Sequence, residues 1–430
     1  MYLKRTIIRN LRGFSELDFS WERPDGTFAG WTVITGENAS GKTALLKAIA
    51  LALVGPDVSR ALQPSLRGWV THGCDAASIA VQIVPHDEDQ FSAGRRPKEN
   101  FWSELELQRN GGPEVSMKPG DERRGKRKGP LTGPWAENAQ GWLAVGYGPF
   151  RRLYGASPEA QRVMSAAGRI ARFATLFKED ATLGECEIWL KDLSFKKLES
   201  KERESQLLDQ VLRLLNDGFL RNGMSVDRVD SDGLWLRDAA GTVLPLTDMS
   251  EGYRAALAMM IDIVRHLADA HEGRDLVGRD QQKLVVPHCG VVLIDEIDAH
   301  LHPEWQRQIG FWMKERFPKI QFIVTTHSAL VCQAADPGGI FRLPAPGSGN
   351  LPFQLSEHDF WTVVRSKPDT ILLSEAFGLS HTRSPQAVEN RQLYASLAAK
   401  RRAVTLSPAE ERKQLELFER WIEPDAEEAT

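Results

Sequence analysis

The chain has 430 residues, a formal net charge of −4, and 42% hydrophobic and 26% charged residues. That balance suits a globular protein of one large or several smaller domains, and it supplies no global pull toward nucleic acid or a membrane surface. No apolar run approaches the roughly 18 residues of a membrane span. The first residues run into charged, alternating sequence, and the four cysteines, Cys74, Cys186, Cys289 and Cys332, form no C-x-x-C pair. Reduced thiols in a cytoplasmic protein without a membrane segment are the expectation.

The first elements read as two strands, Leu3 to Ile8 and Glu16 to Trp21, broken at Asn10 to Gly13, with Leu17, Phe19 and Trp21 on one face. They form an opening hairpin that leads through Pro24-Asp25-Gly26 to the site behind it. Arg9 and Arg12 either approach a base or phosphate there or lie on a solvated strand edge. The apolar run Trp31-Thr32-Val33-Ile34 then enters Gly36-Glu37-Asn38-Ala39-Ser40-Gly41-Lys42-Thr43, which fills every fixed position of G-x-x-x-x-G-K-[ST]. Glycines let the backbone turn so that successive N–H groups converge on anionic oxygens. The helix that begins near Lys42 and continues through Ala44 adds its positive N-terminal end. Lys42 is expected to reach the β- and γ-phosphates of ATP, and the Thr43 hydroxyl to ligate Mg²⁺.

Leu45, Leu46, Ile49, Leu51 and Leu53 make the apolar side of that helix, which the pattern ends at Gly55. A strand over 78–84 completes a first part, 1–84. Residues 85–140 are rich in Gly, Pro and charge, and read as a polar basic insertion, hairpin-like with a mobile tip, that buries little apolar surface. Its cluster Arg123 to Lys128 either contacts phosphate backbones or is a solvated loop. A strand and turn occupy 141–156, ending in Arg151-Arg152. A helical subdomain follows over 157–225, with Leu193, Leu198, Leu207, Leu208, Val211, Leu212, Leu214 and Leu215 as its packed face.

After a hairpin at 226–237, Met249-Ser250-Glu251-Gly252-Tyr253-Arg254 opens a helix with Ser250 at the N-cap position. A second anion-binding helix start is superfluous for one nucleotide, but it suits a nucleotide held by another subunit. Val291 to Ile294 is a continuous apolar run, as in a buried parallel strand, and it ends in Asp295 and Glu296. Ligands of open α/β sheets sit at such carboxyl ends. Asp295 can hold magnesium, directly or through water, and Glu296 can take a proton from the attacking water. A further strand over 321–326 ends at His327, placed to sense the γ-phosphate. The tail, 346–430, reads as charged and helical. Its amphipathic stretch Glu410 to Ile422 suits docking on a partner or packing on the core of the same chain.

These motifs in this order resemble an ABC-class ATPase of the RecF/OLD/SMC type over about residues 1–345. In that likeness Gly36 to Thr43 is Walker A, Met249 to Arg254 the signature, Val291 to Glu296 Walker B, the stretch from Asp298 the D-loop and His327 the switch histidine. It implies an α/β P-loop fold of ATPase-head type, with a mixed sheet, antiparallel N-terminal strands, a helical lid and a helical tail. It also implies head-to-tail dimers or larger homo-oligomers, in which Ser250 and Gly252 act on nucleotide held by the partner. The glutamine that such ATPases carry after the strand preceding the lid is missing from Val145 to Leu153, where Tyr147, Arg151 or Arg152 can substitute.

The short lid and the tail are similar to ATPase subunits of bacterial antiphage systems, such as Septu-type ATPases that work with a separate HNH nuclease. The implied function is an ATP-driven switch controlling such an effector, with no nuclease in this chain. Two alternatives stand beside it: a RecF-like repair ATPase that clamps DNA itself, and a low-turnover nucleotide-bound scaffold that keeps an effector silent.

Overall fold

Three apolar runs, Gly30–Thr35, Gly290–Ile294 and Ile320–Thr325, are buried along their whole length, as strands covered on both faces must be. They form the middle of a six-stranded sheet in the computed structural model, which describes all residues except 113, 121–128, 159, 161–163, 165–167, 272–275, 281–282 and 422–430. The strand order is Phe353–Gln354, Ile340–Arg342, Gly30–Thr35, Ile320–Thr325, Gly290–Ile294, Ala144–Tyr147. Every pairing is parallel except the one at the Phe353–Gln354 edge. The residues that follow Thr35, Tyr147, Ile294 and Thr325 therefore emerge together along one edge.

The period of two along these strands sorts their side chains into two cores. Ile34, Val291, Leu293 and Ile323 pack in one, with Leu45, Leu46 and Ile49 of the helix Lys42–Leu62. Trp31, Val33, Val292, Ile294, Phe322 and Val324 pack in the other, with the helices Gly184–Leu198, Glu202–Asn216, Glu251–Ala270 and Pro303–Arg316. A five-stranded antiparallel sheet, in the order Phe14–Ser20, Tyr2–Leu11, Ala76–Val84, Phe101–Arg109, Val115–Pro119, closes the first core. The helix Lys42–Leu62 thus lies between two sheets, and Leu45, Leu46, Ala48, Ile49 and Leu51 are all fully buried.

Three features here depart from the sequence expectations. Residues 101–109 and 115–119 form a hairpin, as expected of the insertion, but it extends that sheet and buries Leu105, Leu107 and Met117. The basic cluster Arg123 to Lys128 lies outside the described residues. The helix from Lys42 continues to Leu62, but Gly55 breaks it with φ 82°, and a Cβ there would press on the Trp135 ring. On the lid, Leu198 is exposed, whereas Leu207, Leu208, Val211, Leu214 and Leu215 are buried.

The tail also begins later than its composition suggests. Phe360, Val363, Ile371 and Ala376 are buried in the main core, so the first compact unit runs from Met1 to Phe377 and a second from Gly378 to Thr430. Within the second unit the helices Pro385–Ala403 and Pro408–Trp421 pack through Leu397, Leu406 and Leu417, while Leu415 and Phe418 stay exposed. Ile422 lies outside the described residues.

Candidate nucleotide site

The loop from Gly36 to Lys42 needs its glycines for space as well as for φ. Gly36 has φ 147°, and a Cβ there would meet Ser40 Oγ at 2.6 Å and the Leu343 carbonyl oxygen at 2.9 Å. Gly41 has φ 97°, and a Cβ would stand 2.7 Å from Phe14 Cζ. Ala39, at φ 63°, adds a left-handed position between them. Phe14 begins the second strand of the opening hairpin, so that hairpin does lie against the loop. Its Arg12 guanidinium rests over the Trp69 ring, 4.5 Å from the centroid. This makes Arg12 a side chain stacked on an aromatic face.

Lys42 is the buried cation of the phosphate loop. Its Nζ donates to the carbonyls of Gly36 and Glu37 at 2.8 and 2.9 Å. Burial lowers its pKa from the ordinary lysine value, against the opposing pull of Asp295, Glu296 and Asp298. The Thr43 hydroxyl donates to Asp295 Oδ2 at 2.6 Å, which joins the loop to the end of the strand Gly290–Ile294. Asp295 is fully buried, and its Oδ1 accepts from Thr325 Oγ1 at 2.6 Å.

Glu296 is half-buried and has φ 46°, an uncommon backbone state for a residue with a side chain. Its N–H donates to Thr325 Oγ1 at 2.8 Å, and the N–H of Ile297 donates to the Thr325 carbonyl at 3.0 Å. Asp298 accepts from Thr326 Oγ1 and from the backbone N–H of His327. The His327 ring is exposed beside them.

These residues fit a magnesium-bound nucleoside triphosphate. Ser40 Oγ is buried without a partner at the turn of the loop. Thr43 and Asp295 offer the hard oxygen ligands that magnesium takes.

Ser250 and Gly252 lie elsewhere. They line a cavity of about 270 Å³ with Tyr253, His300, Glu304 and Trp305, and none of Gly36 to Thr43 lines it. Ser250 occupies the N-cap position of the helix Glu251–Ala270, yet its exposed hydroxyl makes no capping bond. Gly252 is required by contact within the chain, because a Cβ would stand 2.2 Å from the His300 carbonyl oxygen.

Of the three residues that could stand for the missing glutamine, two point away. The Tyr147 hydroxyl donates to the buried Asp262, and the exposed Arg152 lies over the Phe150 ring. Arg151 alone turns toward the carboxylates, onto their backbone. Thr325 and Phe14 were not singled out in the sequence. The repeated hydroxyl of Thr325-Thr326 at a buried strand end was the available signal for the first, and nothing local marked the second.

Two segments match family models: 7–140 matches "AAA domain", and 184–333 matches "AAA domain, putative AbiEii toxin, Type IV TA system". The "Septu protein PtuA" of Bacillus mycoides (strain KBAB4) is 25% identical over 335 residues, which cover 76% of this chain and 38% of that protein. The "Retron Ec83 probable ATPase" of Escherichia coli is 33% identical over 173 residues, covering 37% of this chain and 30% of that protein. The chain thus spans well under half the length of these relatives. An Smc head bound to the C-winged helix domain of ScpA aligns over 83% of this chain and 98% of its own, at 15% identity and a TM-score of 0.49. Among the described residues no helix is long and apolar enough to cross a membrane.

Proposed function

We propose that this chain, a P-loop ATPase of the ABC/SMC type, binds and hydrolyses ATP and uses the two nucleotide states to switch an associated effector in antiphage defence. The observation that carries the reading is the join between Thr43 and Asp295 at 2.6 Å, with Glu296 next in the chain. It supports the reading of Thr43 and Asp295 as magnesium ligands and of Glu296 as a general base, at the mouth of a loop suited to phosphates. Lys42 and the loop N–H groups would hold the phosphates of ATP, and Thr43 and Asp295 the magnesium. When bound, Mg²⁺ would neutralise charge on the phosphate oxygens.

In this mechanism Glu296 accepts a proton from the water that attacks the γ-phosphorus, and His327 hydrogen-bonds the departing phosphate. Ser250 and Gly252, set apart from the phosphate loop on their own cavity, would meet nucleotide held by a second copy. ATP would then close a head-to-tail dimer and hydrolysis would open it, the difference in affinity between the two states being the energy available to the switch. The defence role and a separate effector, a nuclease of HNH type, rest on the likeness to Septu and retron proteins.

Light scattering on the Glu296→Gln protein tests the dimer. Mass should double with ATP and magnesium and stay single with ADP. An unchanged mass with ATP would remove the trans role of Ser250. Co-expression with the neighbouring reading frames tests the effector: a stoichiometric nuclease should co-elute. A protein that elutes alone and binds DNA only with ATP would favour the clamp reading instead.

A further inference from the structure

The peptide groups on both sides of the Glu296 Cα are tied at both ends. On the N–H sides the ties go to Thr325, whose Oγ1 accepts from Glu296 N at 2.8 Å and whose carbonyl accepts from Ile297 N at 3.0 Å. On the carbonyl sides both go to a single side chain. Arg151 Nη1 donates to the Asp295 carbonyl at 2.7 Å and to the Gly148 carbonyl at 3.0 Å. Its Nη2 donates to the Glu296 carbonyl at 3.0 Å and reaches the Ile297 carbonyl at 3.4 Å.

A guanidinium suits this task because its donors lie in one rigid plane and diverge at fixed angles, so one group can hold consecutive carbonyls. Arg151 is buried, and burial lowers its pKa to about 10 against the pull of Asp295, Asp298 and Glu296. It stays cationic at neutral pH and lends charge to three carboxylates without pairing directly with any of them. The Gly148 carbonyl closes the fork from the other side. Gly148 itself sits where a Cβ would stand 2.2 Å from the Thr175 carbonyl oxygen, so the turn that delivers Arg151 is fixed.

The clamp acts on a residue in an unusual conformation. With φ 46°, the Glu296 backbone would relax toward ordinary values if its peptides were free, and the carboxylate would swing with it. A displacement of about 1 Å in a reacting group is enough to cost on the order of 100-fold in rate.

We propose that Arg151 is the positioning residue for Glu296: together with Thr325 it holds both peptides flanking the base, and so sets the direction of its carboxylate. The role rests on the reading of Glu296 as the general base. It differs from that of a glutamine whose amide touches magnesium and water, because Arg151 works through the backbone.

The test is Arg151→Met, which keeps the stem and removes the donors, in the wild-type and Glu296→Gln backgrounds. In the wild type, kcat should fall about 10- to 100-fold, with KM and the affinity for a fluorescent ATP analogue within about threefold. With Glu296→Gln the further loss should vanish, because there is no base left to position. Arg151→Lys should recover part of the loss.

Amide exchange gives a readout independent of turnover: the amides of Glu296 and Ile297 should exchange at least about tenfold faster in Arg151→Met. Unchanged exchange, an equal loss in both backgrounds, or a loss in affinity matching the loss in kcat would each overturn the proposal. If Glu296→Gln alone leaves turnover intact, the general-base reading fails, and the exchange result still decides whether Arg151 holds those peptides. Should Arg151→Met not fold, Arg151→Lys carries the test, since it keeps the charge but not the planar fork. Its kcat should fall with affinity retained and the amides of Glu296 and Ile297 should exchange faster; unchanged kcat and exchange would overturn the clamp.

Discussion

Gly252, at the start of the helix Glu251–Ala270, packs so closely on the His300 carbonyl that a Cβ would stand 2.2 Å from the oxygen. Backbone meets backbone there, with no flexible side chain to give way. Gly252→Ala must therefore part the helix from the loop that follows Asp298. Overpacking of this kind costs about 1–3 kcal/mol. Chemical denaturation should show a loss in that range, and a change below about 0.5 kcal/mol would mean the contact is looser than drawn.

Gly41→Ala combines two penalties, the φ of 97° and a Cβ 2.7 Å from Phe14 Cζ. Nucleotide affinity should drop at least about tenfold, since the loop must open to admit the methyl. Adding Phe14→Ala removes the collision but leaves the φ strain, so titration with the fluorescent analogue should show partial recovery and not full recovery. Full recovery would assign the whole cost to Phe14.

Lys42→Met separates binding from folding. The side chain is buried, and burial already disfavours its charged form. Removing it should abolish measurable ATP binding while shifting the melting temperature by no more than about 3 °C. Retained binding would contradict the role given to this lysine.

A pH effect is expected away from the nucleotide site. The His271 and His288 rings stack with centroids 3.9 Å apart and planes 16° apart, and Glu88 accepts from His288 Nδ1 at 3.0 Å. Glu88, His271 and His288 bring possible ligand atoms within 4.8 Å of one another, but rings so nearly parallel do not turn both lone pairs on one ion. Burial, and then the neighbouring His288, push the His271 pKa down from 6.5 to about 4. Between those values the unfolded chain binds a proton that the folded one does not, so this contribution is full above about pH 6.5 and lost as pH falls toward 4. Urea midpoints at pH 7, 6 and 5 should decline less steeply for His271→Gln than for the wild type. Parallel declines would mean that His271 titrates normally.

How much of this was legible in the sequence follows from where each signal lies. The phosphate loop and the strand ending in Asp295-Glu296 could be read because their chemistry depends on residues adjacent in the chain. The same holds for the buried strands, whose apolar runs leave no other environment. The burial of the hairpin of 101–109 and 115–119 was missed because Glu104 and Glu106, beside Leu105 and Leu107, weighed more in composition than the alternation itself, which was a strand signal. The later start of the tail was hidden because Phe360, Val363 and Ile371 are spread among charges. The work of Arg151 could not be read at all, because its partners are backbone carbonyls about 145 residues away that carry no side-chain identity. Likewise, the need for glycine at 252 comes from a loop that only the fold brings near.

The central claim, that Glu296 is the base of a working ATP site, is tested most directly by phosphate release from ATP and magnesium, with nucleotide affinity measured on the same preparations. Glu296→Gln should keep wild-type affinity while turnover falls by at least about 100-fold. Turnover unchanged by that substitution, with ATP still bound, would contradict the account.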